Sequence, residues 1–156
     1  MAGGEVSERV KERLGWPADP TTHRKILRLW QRHSIAEGRR DIDGLIATLA
    51  PGCVYEIVGT GLRWERHAGA RAFYTELFAA FPDNRLALTD IVIGPQGVFE
   101  AVVLEATHVG AFAGLAPTGR HVRLELAILF PWDPASQRFM GEQIFIDRAA
   151  LGAPSP

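Results

Sequence analysis

The sequence predicts an α+β domain in which helices pack on the concave face of a strongly curved antiparallel sheet, leaving a cone with one open end. Three observations predict it. Helical periodicity is confined to the first half of the chain, ending near Ala80. From Leu86 onward the chain reads as long strands separated by turn signals. Between two of those strands runs the segment Thr107 to Arg120, far longer than a tight hairpin of about two residues requires. Helices first and a strand meander afterwards make an α+β layout, not an alternating parallel one.

The elements follow in order. Residues 1–20 form a polar extension, helical or disordered, with Trp16-Pro17 and Asp19-Pro20 breaking any longer helix. Thr21 or Thr22 caps a first helix that runs to about Arg39, with Ile26, Leu27, Trp30 and Ile35 as its apolar stripe. Asp41 caps a second, in which Ile42, Leu45, Ile46 and Leu49 keep helical spacing until Pro51-Gly52 stops it. A short strand, Cys53 to Val58, closes at Gly59-Thr60-Gly61. The third helix, from Gly69 to Ala80, buries Phe73, Tyr74, Leu77 and Phe78. Four long strands complete the chain: Leu86 to Ile93, Val98 to Val109, His121 to Phe130 and Arg138 to Asp147. A last turn, Arg148 to Leu151, precedes the tail, so residues 21–151 are expected to form one domain and 152–156 a tail.

Composition bounds the function. At 156 residues the chain holds one domain with a real core, and 47% apolar with 22% charged residues is the mix of an ordinary globule. Net charge is −1 with both signs interspersed, which argues against nucleic acid or an anionic membrane as partner. No apolar run reaches spanning length, and the N-terminus lacks a signal core. Cys53 is the single cysteine, so neither an internal disulfide nor a thiolate metal site can form; a cytoplasmic protein is expected, with Cys53 as a small buried hydrophobe.

Strand alternation sorts the candidate chemistry. In the strand from His121, Val122, Leu124, Leu126, Ile128 and Phe130 form an unbroken apolar face. The opposite face starts His121, Arg123, Glu125, as expected of a solvated outer surface or a subunit interface. In the last strand Gln143, Phe145 and Asp147 share a face, while Glu142 lies with Met140, Ile144 and Ile146. A carboxylate on an apolar face must be hydrogen-bonded, paired or shifted in pKa. Asp147, at the strand's end, either caps the final turn or performs chemistry. His67 caps or orients the third helix, or reaches a ligand. His108 opens the long loop and either lines the cavity mouth or holds the loop. Tyr55 can donate a hydrogen bond inward. The histidines show no short metal-ligand spacing, and Gly94-Pro95-Gln96-Gly97 is a strand turn, not a phosphate cradle.

Several segments together resemble the SnoaL-like polyketide cyclase, or ester cyclase, family of the nuclear-transport-factor-2-like superfamily. They are Trp64 with His67 and Gly69, Phe81-Pro82-Asp83, Thr107-His108 with Gly110 and Phe112, Pro117 to Arg120, and finally Glu142, Asp147 and Leu151. Three positions depart from the family pattern: Val102 where an aromatic is usual, Ala106 where a glycine is usual, and Asp133 to Gln137 in place of a short hairpin.

The resemblance implies a cone with three N-terminal helices on the concave face of its sheet, and a cofactor-independent cyclase or isomerase. The substrate would be a small apolar carbonyl compound in an enclosed cavity, turned over by carboxylate acid/base catalysis of the intramolecular aldol type. Asp147 would be the acid/base and His108 the donor to the developing enolate. Tyr55, His67, Phe112, Phe145 and Gln143 would contact the substrate. No metal or other cofactor is expected, and a homodimer through the outer sheet face is. Two alternatives stand beside this: a non-catalytic small-molecule-binding protein, and a hydrolase or dehydratase in the same cavity.

Overall fold

A computed structural model of the chain describes residues 6–147 and Ala150. The elements among these residues are, in order, α1 (Glu8–Leu14), α2 (Pro20–Gly38), α3 (Ile42–Ile46), β1 (Leu49–Ile57), β2 (Leu62–Glu65), α4 (Arg66–Ala80), β3 (Arg85–Gly94), β4 (Gly97–Thr107), β5 (His121–Asp133) and β6 (Arg138–Ile146). The strands form one sheet, β2-β1-β6-β5-β4-β3. Neighbours run antiparallel except β1 and β6, which are parallel. The α+β class and curved sheet are as the sequence predicts.

Several boundaries differ, each for a physical reason. Asp19-Pro20 is a start signal and not a break. The Asp19 carboxylate accepts from the amides of Thr21 and Thr22 at 2.9 Å each, and Pro20 occupies the first helical position, where no amide hydrogen is needed. Helix α3 keeps its expected Asp41 cap but ends at Ile46. Pro51-Gly52 does not stop it, because the chain has already entered β1 at Leu49. A proline is tolerated there because the pairing with β6 shifts register between Leu49 and Val54, where no ladder donor is required. Pro131 repeats this device in β5, at a register shift between Leu129 and Trp132, so β5 continues past Phe130 to Asp133 before the chain turns. Strand β2 is absent from the sequence reading. Gly59 (φ 81°) and Gly61 (φ 78°) fold it back so that Leu62–Glu65 pairs with Val54–Ile57. The polar extension contains α1, pinned where Arg13 donates to the Gln96 carbonyl (2.7 Å) and Gln96 to the Arg13 carbonyl (2.8 Å). The expected last turn lies, apart from Ala150, outside the described residues.

The concave face carries the core. Val98, Val102, Leu104 and Ala106 from β4 join Val122, Leu124, Ile128 and Phe130 from β5 beneath Ile26 and Leu29 of α2 and Phe73 and Leu77 of α4. The convex face is polar at one end, where Arg123 lies between Glu105 (3.6 Å) and Glu125 (2.9 Å). It is apolar at the other, where Val92, Phe99 and Phe145 are exposed. Thr107 to Arg120 is a fixed cap. Its base continues the ladder through His108 and Arg120, Val109 donates to the Ala80 carbonyl, and the Ala113 amide donates to Glu76 at 3.1 Å. Among the described residues no helix is long and apolar enough to cross a membrane.

Strand β6 corrects one expectation of face. Met140 is exposed, while Phe139 and Glu142 both point into the core. Simple alternation cannot place residues three apart on one face. A bulge at Gly141 absorbs the odd residue, with φ 104° and the Val54 carbonyl oxygen only 2.0 Å from where a Cβ would stand. Gly141→Ala is therefore expected to destabilise the protein by about 3 kcal/mol or more, read as a lowered urea midpoint. A loss below about 1 kcal/mol would show that the bulge relaxes without glycine.

Candidate active site

Between the helices and the concave face lies an inner chamber of about 50 Å³, walled by apolar side chains such as Phe73 and Leu77 of α4, Phe112 of the cap, Leu124 and Ile128 of β5 and Ile144 of β6. Two polar residues line it, Glu37 and Glu142. A wider vestibule of about 430 Å³ opens between α2 and the β3 edge, bordered by Trp30, Ser34, Glu37, Leu86, Leu88 and Glu100. Glu37 and Leu86 border both spaces.

Glu142 is 4% exposed, yet its carboxylate is well held. Tyr74 donates its hydroxyl to Oε1 at 2.6 Å, and Nε2 of His33 stands 3.1 Å from the same oxygen. Proton positions follow from counting donors. The Thr48 hydroxyl gives its hydrogen to the Leu45 carbonyl (2.6 Å), so it accepts from Nδ1 of His33 (2.7 Å). Tyr74 has given its hydrogen to Glu142, so Tyr55 donates to the Tyr74 oxygen (3.1 Å). Nε2 of His33 stands 2.9 Å from the Tyr74 oxygen as well as 3.1 Å from Oε1 of Glu142, so the imidazole, the phenol and the carboxyl group form one three-membered hydrogen-bonded cluster.

Burial and the charge of Glu142 hold both tyrosine hydroxyls well above their ordinary pKa, keeping them donors. Part of Glu37 reaches the surface, but its carboxyl is desolvated, and this with the charges of Glu142 and Glu100 holds its pKa well above the ordinary range. Glu100 is pushed up to about 7 by burial, partly offset by the 2.7 Å hydrogen bond it accepts from the Trp30 indole, with Glu142 adding to the rise. Perturbed acids converging on a cavity mark a candidate site. Among the described residues no group of three His, Cys, Asp or Glu side chains is placed to hold a metal ion.

The residues singled out from the sequence are dispersed. Phe112 lines the chamber. Tyr55 is fully buried and joins the hydrogen-bonded cluster through Tyr74. His67 donates to the Leu49 carbonyl (3.2 Å) and so orients the start of α4. His108 is fully buried, stacked on Phe81 at 5.1 Å, with Nδ1 3.4 Å from Thr118 and Nε2 without a hydrogen-bond partner; it is not among the chamber's lining residues. Gln143 and Phe145 lie on the convex face, Gln143 donating to Glu56 and Phe145 42% exposed, because the Gly141 bulge turns Glu142 inward and its neighbours outward. Asp147 is exposed beyond the end of β6 and does not line the chamber.

His33, Glu37, Tyr74, Glu100 and Trp30 were missed. One signal existed: Ile26, Trp30, His33 and Glu37 follow helical spacing, so two ionisable groups sit on an apolar stripe.

A model of the SnoaL-like polyketide cyclase family matches residues 26–153, and the chain belongs to that family. No curated protein matches it. Among solved structures it is similar to a Jannaschia sp. CCS1 protein taken for a SnoaL-like polyketide cyclase, at 22% identity and TM-score 0.69, over 90% of this chain and 100% of that one. It is also similar to SalBIII, an epoxide hydrolase/cyclase-like enzyme of pyran ring formation in the polyether salinomycin (17%, TM-score 0.66, 81% and 94%). An LEH-like epoxide hydrolase of M. tuberculosis is a third (15%, TM-score 0.62, 82% and 86%). At these identities the likeness establishes a shared nuclear-transport-factor-2-like fold.

The raised Glu100 acid ties stability to pH. Its folded-state value of about 7 exceeds the ordinary 4.5, so the folded protein binds this proton more tightly than the unfolded chain. The stabilisation is full below the ordinary value and is lost as pH rises through about 7. Glu100→Gln is expected to remove this dependence. Relative to the variant, the wild type should lose up to about 3 kcal/mol between pH 4 and pH 8 in urea denaturation. Parallel stability curves for the two proteins would refute it.

Proposed function

We propose that this member of the SnoaL-like polyketide cyclase family is a cofactor-independent cyclase or isomerase of a small apolar carbonyl compound, acting by carboxylate acid/base catalysis. One observation carries the reading: Glu142, hydrogen-bonded to His33 and Tyr74, is presented with Glu37 to a chamber whose other walls are apolar. Glu142 takes a proton from the carbon beside the substrate carbonyl. Glu37, kept protonated by its surroundings, donates a hydrogen bond to the enolate oxygen as charge develops there. The carbanion then attacks a second carbonyl of the same molecule and closes a ring, with proximity supplying much of the rate. A chamber of about 50 Å³ accepts only the reacting end, so the remainder of the substrate occupies the vestibule.

A site that only bound an apolar ligand would have no use for two desolvated carboxyl groups, which oppose folding. Hydrolysis by a water held between an acid and an arginine has less support, since no arginine is among the chamber's lining residues. The proposal includes a homodimer through the convex face, where Val92 and Phe99 lie opposite each other on adjacent strands. A sedimentation mass of one chain would remove that part.

Thermal stabilisation by a panel of cyclic ketones and aromatic polyketides identifies a substrate. On that substrate Glu142→Gln is expected to lower kcat on the order of 100-fold, with Asp147→Asn within a few-fold of wild type. If instead Asp147→Asn abolishes turnover and Glu142→Gln does not, the acid/base belongs to the end of β6.

A further inference from the structure

We infer that Glu37 relays protons between the sealed His33–Glu142 pair and the vestibule, with Glu100 as its exchanging partner there. This deepens the acid/base reading of the same site and rests on it for its purpose.

The need for a relay comes from burial. His33 is 1% exposed, Tyr55 and Tyr74 are fully buried, and Glu142 is 4% exposed. The hydrogen-bonded chain from Glu142 leads nowhere useful for a proton. Through His33 and Thr48 it ends on the Leu45 carbonyl, which cannot pass a proton on. Through Tyr74 it reaches Tyr55, whose hydroxyl is held far from ionising. An acid/base centre that turns over must nevertheless exchange protons with solvent.

Glu37 is the carboxylate that lines both the chamber beside Glu142 and the vestibule beside Glu100. The charges of Glu142 and Glu100 both disfavour its ionised form. The ionisable groups that converge there are His33 from α2, Tyr74 from α4, Tyr55 from β1, Glu100 from β4 and Glu142 from β6. Two arginines border the vestibule as well, Arg40, which is committed to the Pro82 carbonyl and the Phe78 ring, and Arg85 at the start of β3. The chamber that both Glu37 and Glu142 line has room for about one or two water molecules.

The exchange balances without a co-reactant. The Glu37 carboxyl gives its proton inward to the Glu142 carboxylate and becomes a carboxylate itself. It then takes a proton from the Glu100 carboxyl, and vestibule water reprotonates Glu100. The reverse sequence discharges a proton taken from substrate. Because burial disfavours the Glu37 anion, reloading is driven once the proton has moved.

The test needs no substrate, so it can fail while the acid/base reading stands, and the reverse. The full-length protein is labelled with ¹⁵N-histidine, the His33 ring signals are assigned with His33→Asn, and exchange of the ring N–H with water is followed by NMR at pH 7. Glu37→Gln, close in shape but unable to pass a proton, is expected to slow His33 exchange at least about tenfold, and Glu37→Asp to stay within a few-fold of wild type. Backbone amides of Ile26 and Leu29 on the same helix report local opening. An unchanged His33 rate in Glu37→Gln overturns the relay. So does a slowing matched by those amides, because the proton would then leave by opening of the helix.

Discussion

The buried Glu142 carboxylate is the constraint around which this protein is organised. A carboxyl group in so apolar a surrounding is tolerable only when it is hydrogen-bonded. Its partners are Tyr74 on α4 and His33 on α2, held from behind by Tyr55 on β1 and Thr48 after α3. The network that satisfies one charge therefore also docks both long helices onto the sheet. Neither helix has another reason to place a polar group at that depth. Packing and chemistry use the same contacts, so removing a partner would leave the others unsatisfied as well as changing the site.

The architecture was legible because it rests on periodicity. Apolar stripes on α2 and α4 and the alternation in β5 are strong, local signals, and the length of Thr107 to Arg120 marks it as more than a hairpin, whereas the hydrogen bonds that fix it on α4 left no trace in the sequence. What stayed hidden depended on geometry across the sequence. His33 and Tyr74 are separated by forty-one positions and Tyr74 and Glu142 by sixty-eight, so their convergence has no local trace. Pro51 reads as a stop, yet its missing donor matters only where a ladder is complete, and it sits at a register shift. Glu142 was marked as anomalous on its face, though its reason was beyond sequence. Asp147 drew the chemistry through resemblance, at a position the fold leaves exposed.

Under the proposed function the two spaces divide the labour of recognition. Leu86 and Leu88 are 39% and 46% exposed on the inward rows of β3, the edge strand that α2 leaves uncovered. Water-exposed leucines beside Trp30 suit an apolar body, while the chamber beyond admits little more than a functional group. The cap contributes the far wall through Phe112, packed against Phe73 and Phe81 at ring distances of 6.0 and 5.3 Å. It is bound to α4 by backbone hydrogen bonds and so sets the depth of the chamber. Access is then governed by the vestibule side, where Glu37 stands.

How Glu142 comes to face the chamber at all is decided by the glycine that precedes it in β6. Phe139 must enter the core, where it meets Phe130 and Trp132 at 5.4 and 6.3 Å. Regular alternation from Phe139 would turn Gly141 and Gln143 inward and Glu142 outward to solvent. The bulge shifts the phase by one residue, which delivers Phe139 and Glu142 to the same side. It is possible only because Gly141 adopts φ 104° with its α-carbon against the Val54 backbone. A strand selected for stability alone would need neither the irregularity nor the buried acid, since each opposes folding. That the two occur together, one existing to orient the other, is the strongest argument that this cavity performs chemistry and is not merely space between a sheet and its helices.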